Sequence, residues 1–246
     1  MYVWEGRAAR IRSDDEATTT GARRADHHDG GALVARRTAE DAARTRRELL
    51  DAASGLFVEQ GYASVSVGAI ATAAGVTSGA VYHHFPGGKV AVFEAVYREQ
   101  LERLDAEMRT VSRRVADETG DLWLTLWAAI DRYLELCASP TLARITLYEA
   151  PAALGVERWE AIDQEFGVAQ FRGMLELLMA TGDIAEQPVE PLALALVGAF
   201  NMVARQIVAA DEPEAAVAGY ARALRSLIGG LAFARPPDDA GDGTSA

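Results

Sequence analysis

The stretch SVGAIATAAGVTSGAVYHHF, residues 66–85, decides the fold. Two short helices packed at a steep angle need a small residue where they touch, a glycine in the turn and apolar residues at fixed inward positions. Counting from Val67, those places are filled by Ile70, Ala71, Ala74, Gly75, Val76 and Val81. Alanine is common throughout the chain, so Ile70, Gly75, Val76 and Val81 carry the discrimination. Ser66 and Thr77 stand where helix N-caps belong, Gly75 stops the first helix, and Pro86-Gly87-Gly88 forbids extension of the second. The reading is a helix-turn-helix.

Helical patterns continue outward on both sides. Upstream, Thr38-x-x-Asp41 resembles a capping box, and Leu49, Ala53, Leu56 and Phe57 recur at helical spacing up to Gly61. Downstream, Lys89 to Arg114 forms a long linking helix with Val92, Val96 and Leu104 on its apolar face. Further helices are expected over 122–138, 141–150, 157–181, from Pro188 and Pro191 to Ala210, and over 213–232, with breaks at Ser139-Pro140, Pro151 and Gly182-Asp183. No segment alternates like a strand. The fold class is therefore all-α: a three-helix domain at 38–88 and a larger helical domain at 89–235, of which 89–114 is the link. Residues 1–37 and 236–246 are polar, small and aperiodic, and are expected to be disordered.

Composition narrows the class. Half of the 246 residues are apolar, as in an ordinary globular protein. The single Cys137 excludes an intramolecular disulfide and is read as a buried helical residue. No Cys/His spacing suits a metal, and the adjacent His27-His28 are read as solvated, so no metal and no cofactor is expected. The first residues carry no apolar run of signal-peptide type, and the longest apolar stretch, Leu192 to Ala204, is interrupted by Asn201 and too short to span a bilayer. A cytoplasmic protein with no membrane segment is expected. Net charge is −12, but up to residue 115 there are sixteen Lys/Arg against sixteen Asp/Glu, and from 116 onward eight against twenty. Between Glu59 and Glu94 there is no carboxylate, which leaves a phosphate-compatible surface on an acidic protein.

The run from Arg46 to Tyr62 (RRELLDAASGLFVEQGY), the run from Ile70 to Phe85, and Pro86-Gly-Gly-Lys89 together resemble the N-terminal domain of the tetracycline-repressor (TetR) family over about fifty contiguous residues. The resemblance implies a helix-turn-helix DNA-binding domain, a linking fourth helix, and a divergent C-terminal domain that dimerises and binds a small-molecule effector. It implies a transcriptional regulator, read as a repressor, rather than an enzyme. The turn at 86–88 is one residue longer than the family's commonest form.

A recognition helix enters the major groove by its N-terminal end, where short side chains allow close approach and free N–H groups meet phosphate. Thr77, Ser78 and Gly79 suit that role. Val81 and Phe85 face inward, leaving Tyr82 and His83 outward, with His84 beside them; the resemblance implies contact between these positions and the DNA backbone. Lys89, the only lysine in the chain, lies in the first turn of a helix, where its charge opposes the dipole unless an anion such as a DNA phosphate is present. Arg44, Thr45 and Arg46 are candidate backbone contacts. Gly88-Lys89 does not make a phosphate-binding loop, since the first glycine of that motif would fall on His83. No arginine lies between residues 48 and 97, so bidentate guanine readout from the recognition helix is not on offer.

In the C-terminal part, Leu192 to Ala210 is apolar on nearly all faces and carries Ala193, Ala195, Gly198 and Ala199, which let a second helix approach closely. With 213–232 it could form half of an intermolecular four-helix bundle. A two-fold dimer would set two recognition helices roughly 34–36 Å apart on a palindromic operator in double-stranded DNA. Candidate effector contacts are Trp123, Trp127, Tyr148, Phe166, Gln170, Asn201, Met202 and Arg205, with Trp159 and Phe171 also in view, each competing with plain core packing. Arg205 would either meet an anionic or carbonyl group on the effector or pair within the protein, for instance with Glu149. The alternative reading is a helical enzyme or protein-binding scaffold with a DNA-binding appendage; no Ser/His/Asp order, metal cluster or nucleotide loop supports it, and all four His precede residue 85.

Overall fold

The computed structural model describes residues 29–232, and every regular element among them is helical. Helix α1, Asp29–Gln60, opens before the expected Thr38. Ala32, Leu33, Ala35, Arg36 and Arg37 are mostly strong helix formers with no proline among them, so nothing stops the helix at Thr38. The disorder expected up to residue 37 therefore does not hold for 29–37. His27, His28 and the tail 236–246 lie outside the described residues.

Helix α2 spans Val67–Ala73 and α3 spans Ser78–His84. Both caps are those expected: the Ser66 hydroxyl accepts from Ala69 N at 3.1 Å and the Thr77 hydroxyl from Ala80 N at 3.2 Å. Gly75, at φ +69, turns the chain between them. Helix α4, Lys89–Thr119, runs past Arg114 to a left-handed Gly120, and Asp121 then caps α5, Leu122–Cys137.

The expected break at Pro151 does not occur. Helix α6, Pro140–Ala143, passes into a π-helical segment, Arg144–Glu149, and then directly into α7, Ala150–Leu154, with Ala150 still in the α region. Proline lacks an N–H and its ring collides with the carbonyl four residues back. The wider π turn immediately upstream relieves both demands. Helix α8 spans Val156–Ala180, α9 Val189–Ala209 and α10 Pro213–Gly229.

Helix α9 is longer than the Leu192–Ala204 run suggested. At 21 residues and a mean hydropathy of 1.7 it is long and apolar enough, by those measures alone, to cross a membrane, although its inner face is buried within the chain. Its inner face, Ala193, Leu196, Phe200 and Ile207, packs with α5, α8 and α10 in one core.

A second core joins the helix-turn-helix to the rest. Leu49, Ala53 and Phe57 of α1, Ile70 of α2, Val81 of α3 and Val92, Phe93, Val96 and Tyr97 of α4 cluster with Ile145, Ala150, Trp159 and Ile162. Phe57, Tyr62 and Phe93 close this core as an aromatic trio in which Phe93 meets both others edge-on, with centroids 5.1–5.8 Å apart. The head is thus continuous in packing with the π segment, α7 and α8.

Candidate DNA-binding surface and ligand cavity

The recognition helix is held from below and left open above. Val81 and Phe85 are buried, as the spacing predicts, whereas Thr77, Ser78, Gly79, Tyr82 and His83 are exposed and His84 is half-buried. Thr77 spends an oxygen lone pair on capping, which leaves its own O–H free to donate to an acceptor outside. The His83 and His84 rings meet edge to face at 5.3 Å, and no group of metal-ligating side chains occurs among the described residues. Arg46 places its guanidinium 4.9 Å from the centroid of the Phe85 ring at the end of α3. Arg44 is exposed but paired along α1 with Asp41, at 2.9 Å, and more loosely with Glu48. Thr45 is half-buried.

Gly88 sets how α3 meets α4. Its φ of +63 with ψ −138 is a conformation essentially confined to glycine, and a Cβ there would lie 3.0 Å from Cε1 of Tyr82. The longer turn thus seats the Tyr82 ring against bare backbone while keeping over half of its surface open.

Lys89 has partners other than the expected phosphate. Its Nζ donates to the Tyr62 carbonyl at 3.0 Å and reaches the Ala63 carbonyl at 3.5 Å, and it lies 4.2 Å from the Tyr62 ring centroid. The cation is matched by carbonyls just beyond the C-terminal end of α1 and by a π face, so no anion is needed to offset the α4 dipole. From the other side Tyr62 N donates to Glu149 Oε2 at 3.1 Å, and Glu149 also faces Arg144 at 3.6 Å. Gly61, at φ +79, makes room for this: a Cβ there would stand 2.9 Å from Glu149 Oε1. Tyr62 is therefore clamped between α4 and the π segment.

In the body, α4, α5, α8, α9 and the π segment line a mostly apolar cavity of about 150 Å³. Its wall includes Leu104, Met108, Ile130, Phe166, Phe171, Met174 and Phe200, with Thr146 and Leu147 from the π segment. Set into it are Asp105, Ser112, Tyr133, Asp163, Gln170 and Asn201. Asp163 accepts a hydrogen bond from the Asn201 amide, and Asp105 accepts from Gln170 and pairs with Arg109. Burial holds both carboxyls above the usual carboxylate range; the Asn201 bond and the positive charge of Arg205 counteract it at Asp163, and Arg109 and Gln170 do so at Asp105. Burial likewise pushes the Tyr133 phenol well above its ordinary value and the Cys137 thiol up to about 12, so Cys137 is an inert apolar neighbour.

Family comparisons agree with both halves. Residues 49–96 match the model for bacterial regulatory proteins of the tetR family, and residues 123–231 match the tetracyclin repressor-like C-terminal domain. A solved TetR-family transcriptional regulator from Pectobacterium atrosepticum is 31% identical, with 78% of this chain and 96% of that chain covered at a TM-score of 0.63. The chain belongs to the TetR family. Among curated relatives, the HTH-type transcriptional regulator SrpR of Pseudomonas putida is 28% identical over 203 residues, covering 70% of this chain and 91% of SrpR. The transcriptional repressor BepR of Brucella suis is 28% identical over 177 residues, covering 67% and 82%. The protein is a DNA-binding transcriptional regulator with an N-terminal helix-turn-helix on an all-helical body.

In this TetR-family regulator the expected effector residues do not form one set. Phe166, Gln170 and Asn201 line the cavity, as does Phe171. Trp123 instead stacks near Trp127 at 5.3 Å and donates from Nε1 to Asp183 at 3.1 Å, tying α5 to the α8–α9 loop. Tyr148 and Met202 are more than half exposed, and Trp159 is a core residue of the head–body junction. Arg205 meets neither ligand space nor Glu149: its guanidinium lies 4.8 Å from the Trp159 centroid. Aromatic and apolar residues at helical spacing fill cores and subunit faces as readily as pockets, which is why composition alone misplaced these. Asp105, Ser112, Tyr133 and Asp163 went unnoticed. The available signal was Asp163 lying within the Trp159, Ile162, Phe166, Gly167, Gln170 stripe of α8, a charge on a face that must be buried.

Proposed function

We propose that the chain is a homodimeric repressor, acting in the cytoplasm without catalysis, that leaves a palindromic operator when a small molecule fills the α4–α9 cavity. One observation carries this reading. The π segment contributes Thr146 and Leu147 to the cavity wall and, at Glu149, holds the backbone of Tyr62 at the head. A π turn is a rare departure from α geometry that occurs mostly at functional sites. A ligand that presses on Thr146 and Leu147 shifts Glu149, which draws the Tyr62 backbone and the Lys89 bound to it along, and so rotates the head. The coupling is the difference in ligand affinity between the two head positions.

DNA contact is assigned to Thr77, Ser78, Gly79, Tyr82, His83 and His84, with Arg44, Thr45 and Arg46 flanking, and Lys89 serves as the brace behind them. Dimerisation is assigned to α9 and α10. Leu194, Ala195, Gly198 and Met202 share the open face of α9, and Gly219, Ala223 and Leu227 that of α10. Small residues among large apolar ones suit close packing of two such helix pairs into a four-helix bundle.

Fluorescence anisotropy on the DNA upstream of the protein's own gene tests the reading. Nanomolar, strongly salt-dependent binding with a stoichiometry of two chains per site is expected. Equal affinity for unrelated DNA of the same length would overturn it.

A further inference from the structure

The charge inside the cavity is one-sided. Among the residues lining it, Asp105 and Asp163 are the only ones with ionisable charge near neutral pH, and no Lys, Arg or His joins them. Asp105 is matched by Arg109 and Gln170. Asp163 has a single amide hydrogen bond from Asn201 and no ion pair among the described residues; the charge of Arg205, whose guanidinium lies over the Trp159 ring, acts on it without a salt bridge. A buried carboxylate without a salt-bridged cation is only partly compensated by Arg205, and the remaining cost falls if the site gains a positive charge or the carboxyl takes a proton.

The surroundings suit an organic cation. Phe166 sits one turn along α8 from Asp163, and Phe200 precedes Asn201 on α9. Tyr133 and Phe171 flank Phe200 with centroids 5.5 and 4.8 Å from it. Ring faces attract cations and exclude water, so rings and carboxylate act together. A further group waits for a partner: the Ser112 hydroxyl, 2% exposed, lines the cavity with no hydrogen bond in the protein.

Resting on the reading of this cavity as the effector site, we infer that its ligand is a compact organic monocation: an amine on a single ring or short apolar chain, its ammonium against Asp163 and its apolar part among Phe166, Phe171 and Phe200. A cavity of about 150 Å³ has the size that admits roughly one benzene ring. A carboxylate ligand meets like charge, and a neutral one leaves Asp163 without an ion pair. This differs from the expectation that Arg205 meets an anionic or carbonyl group on the effector.

Three probes of similar size separate these cases on the intact protein: benzylammonium, its uncharged isostere ethylbenzene, and benzoate. In calorimetric titration at neutral pH, benzylammonium is expected to bind at least about tenfold more tightly than either of the others. In Asp163→Asn that preference is expected to vanish. The same probes are added to the protein–DNA complex. Preference for benzylammonium that depends on Asp163, without loss of DNA, keeps the ligand class and overturns the effector reading. Tighter binding of ethylbenzene or benzoate, or a cation preference that survives Asp163→Asn, overturns the ligand class. Failure of all three to bind overturns the inference as a whole.

Discussion

The two functional regions are built on opposite plans. In the head, the groups assigned to DNA project outward from a short helix whose inner face is apolar, and twenty consecutive residues supply nearly everything. In the body, the polar groups point into a cavity, and five stretches of chain spread from Leu101 to Asn201 line it. An outward-facing site needs only local order, because solvent satisfies its polar groups until DNA arrives. An inward-facing one holds polarity that is partly matched, at Asp163, or unmatched, at Ser112, inside the packed interior, where every such group costs stability. The head is built for rigid presentation and the body for response.

The sharpest test of rigid presentation is Gly88→Ala. The residue must hold φ +63 without a side chain while Tyr82 sits against it. Strain of about 1–3 kcal/mol is expected, lowering Tm and displacing Tyr82, so that operator affinity falls by more than tenfold in anisotropy titrations. Wild-type Tm and affinity in this variant would mean that the turn does not aim α3.

Next in size is the surface itself. Tyr82→Ala and His83→Ala are each expected to weaken operator binding by about 1 kcal/mol, a factor of roughly five. Neither side chain carries a fixed charge, so the slope of log affinity against log salt should stay unchanged. Arg44→Ala should instead make that slope about one unit shallower, because a phosphate-bound arginine releases a counterion. None of the three should alter ligand binding in the cavity; any that does would erase the division between the regions.

How far each region could be read from the chain follows from the same contrast. Ser66, Gly75, Thr77 and Pro86 act on their immediate neighbours, so caps, turn and helix limits were legible, as was the inward placement of Val81 and Phe85. Lys89 was legible as an anomaly but not in its partners, since the Tyr62 and Ala63 carbonyls it binds reach it only through the tertiary fold. In the body the helices themselves were legible. Which of their aromatic residues face a cavity was not, because that depends on which helices are neighbours. Trp123 ended at Asp183 and Met202 at the surface for that reason. The absence of a break at Pro151 was equally hidden, since a π turn has no sequence signature beyond the proline it accommodates.

The link between the regions predicts a smaller, more selective effect. Glu149→Ala removes the acceptor for Tyr62 N and should lower stability by about 1 kcal/mol. Operator affinity without ligand should change little, since α2 and α3 keep their own supports. Release of DNA by a cavity ligand should require several-fold more ligand. Equal loss of DNA binding and of ligand response would make Glu149 a general prop rather than a transmitter.

The smallest expected effect bears on the cost of inward polarity. Asp163 has a folded-state pKa raised by burial, above its value in the unfolded chain. For an acid shifted in that direction the folded state binds the proton more readily, so the ionised form costs stability at neutral pH, and the cost fades as pH falls through the folded value. Asp163→Asn keeps the shape and can still accept from the Asn201 amide. It should therefore raise Tm at pH 7, with a gain that shrinks as the pH falls through the raised pKa of the wild-type carboxyl. Glu94, whose pKa is lowered chiefly by its hydrogen bond to Arg158, behaves oppositely, favouring the fold above the ordinary carboxylate range and weakening it in acid. That contribution is common to both proteins and cancels in their difference. If Asp163→Asn were less stable than wild type at pH 7, the carboxylate would be a structural tie, and the division between an outward site held by packing and an inward site held under electrostatic strain would fail at the residue meant to show it.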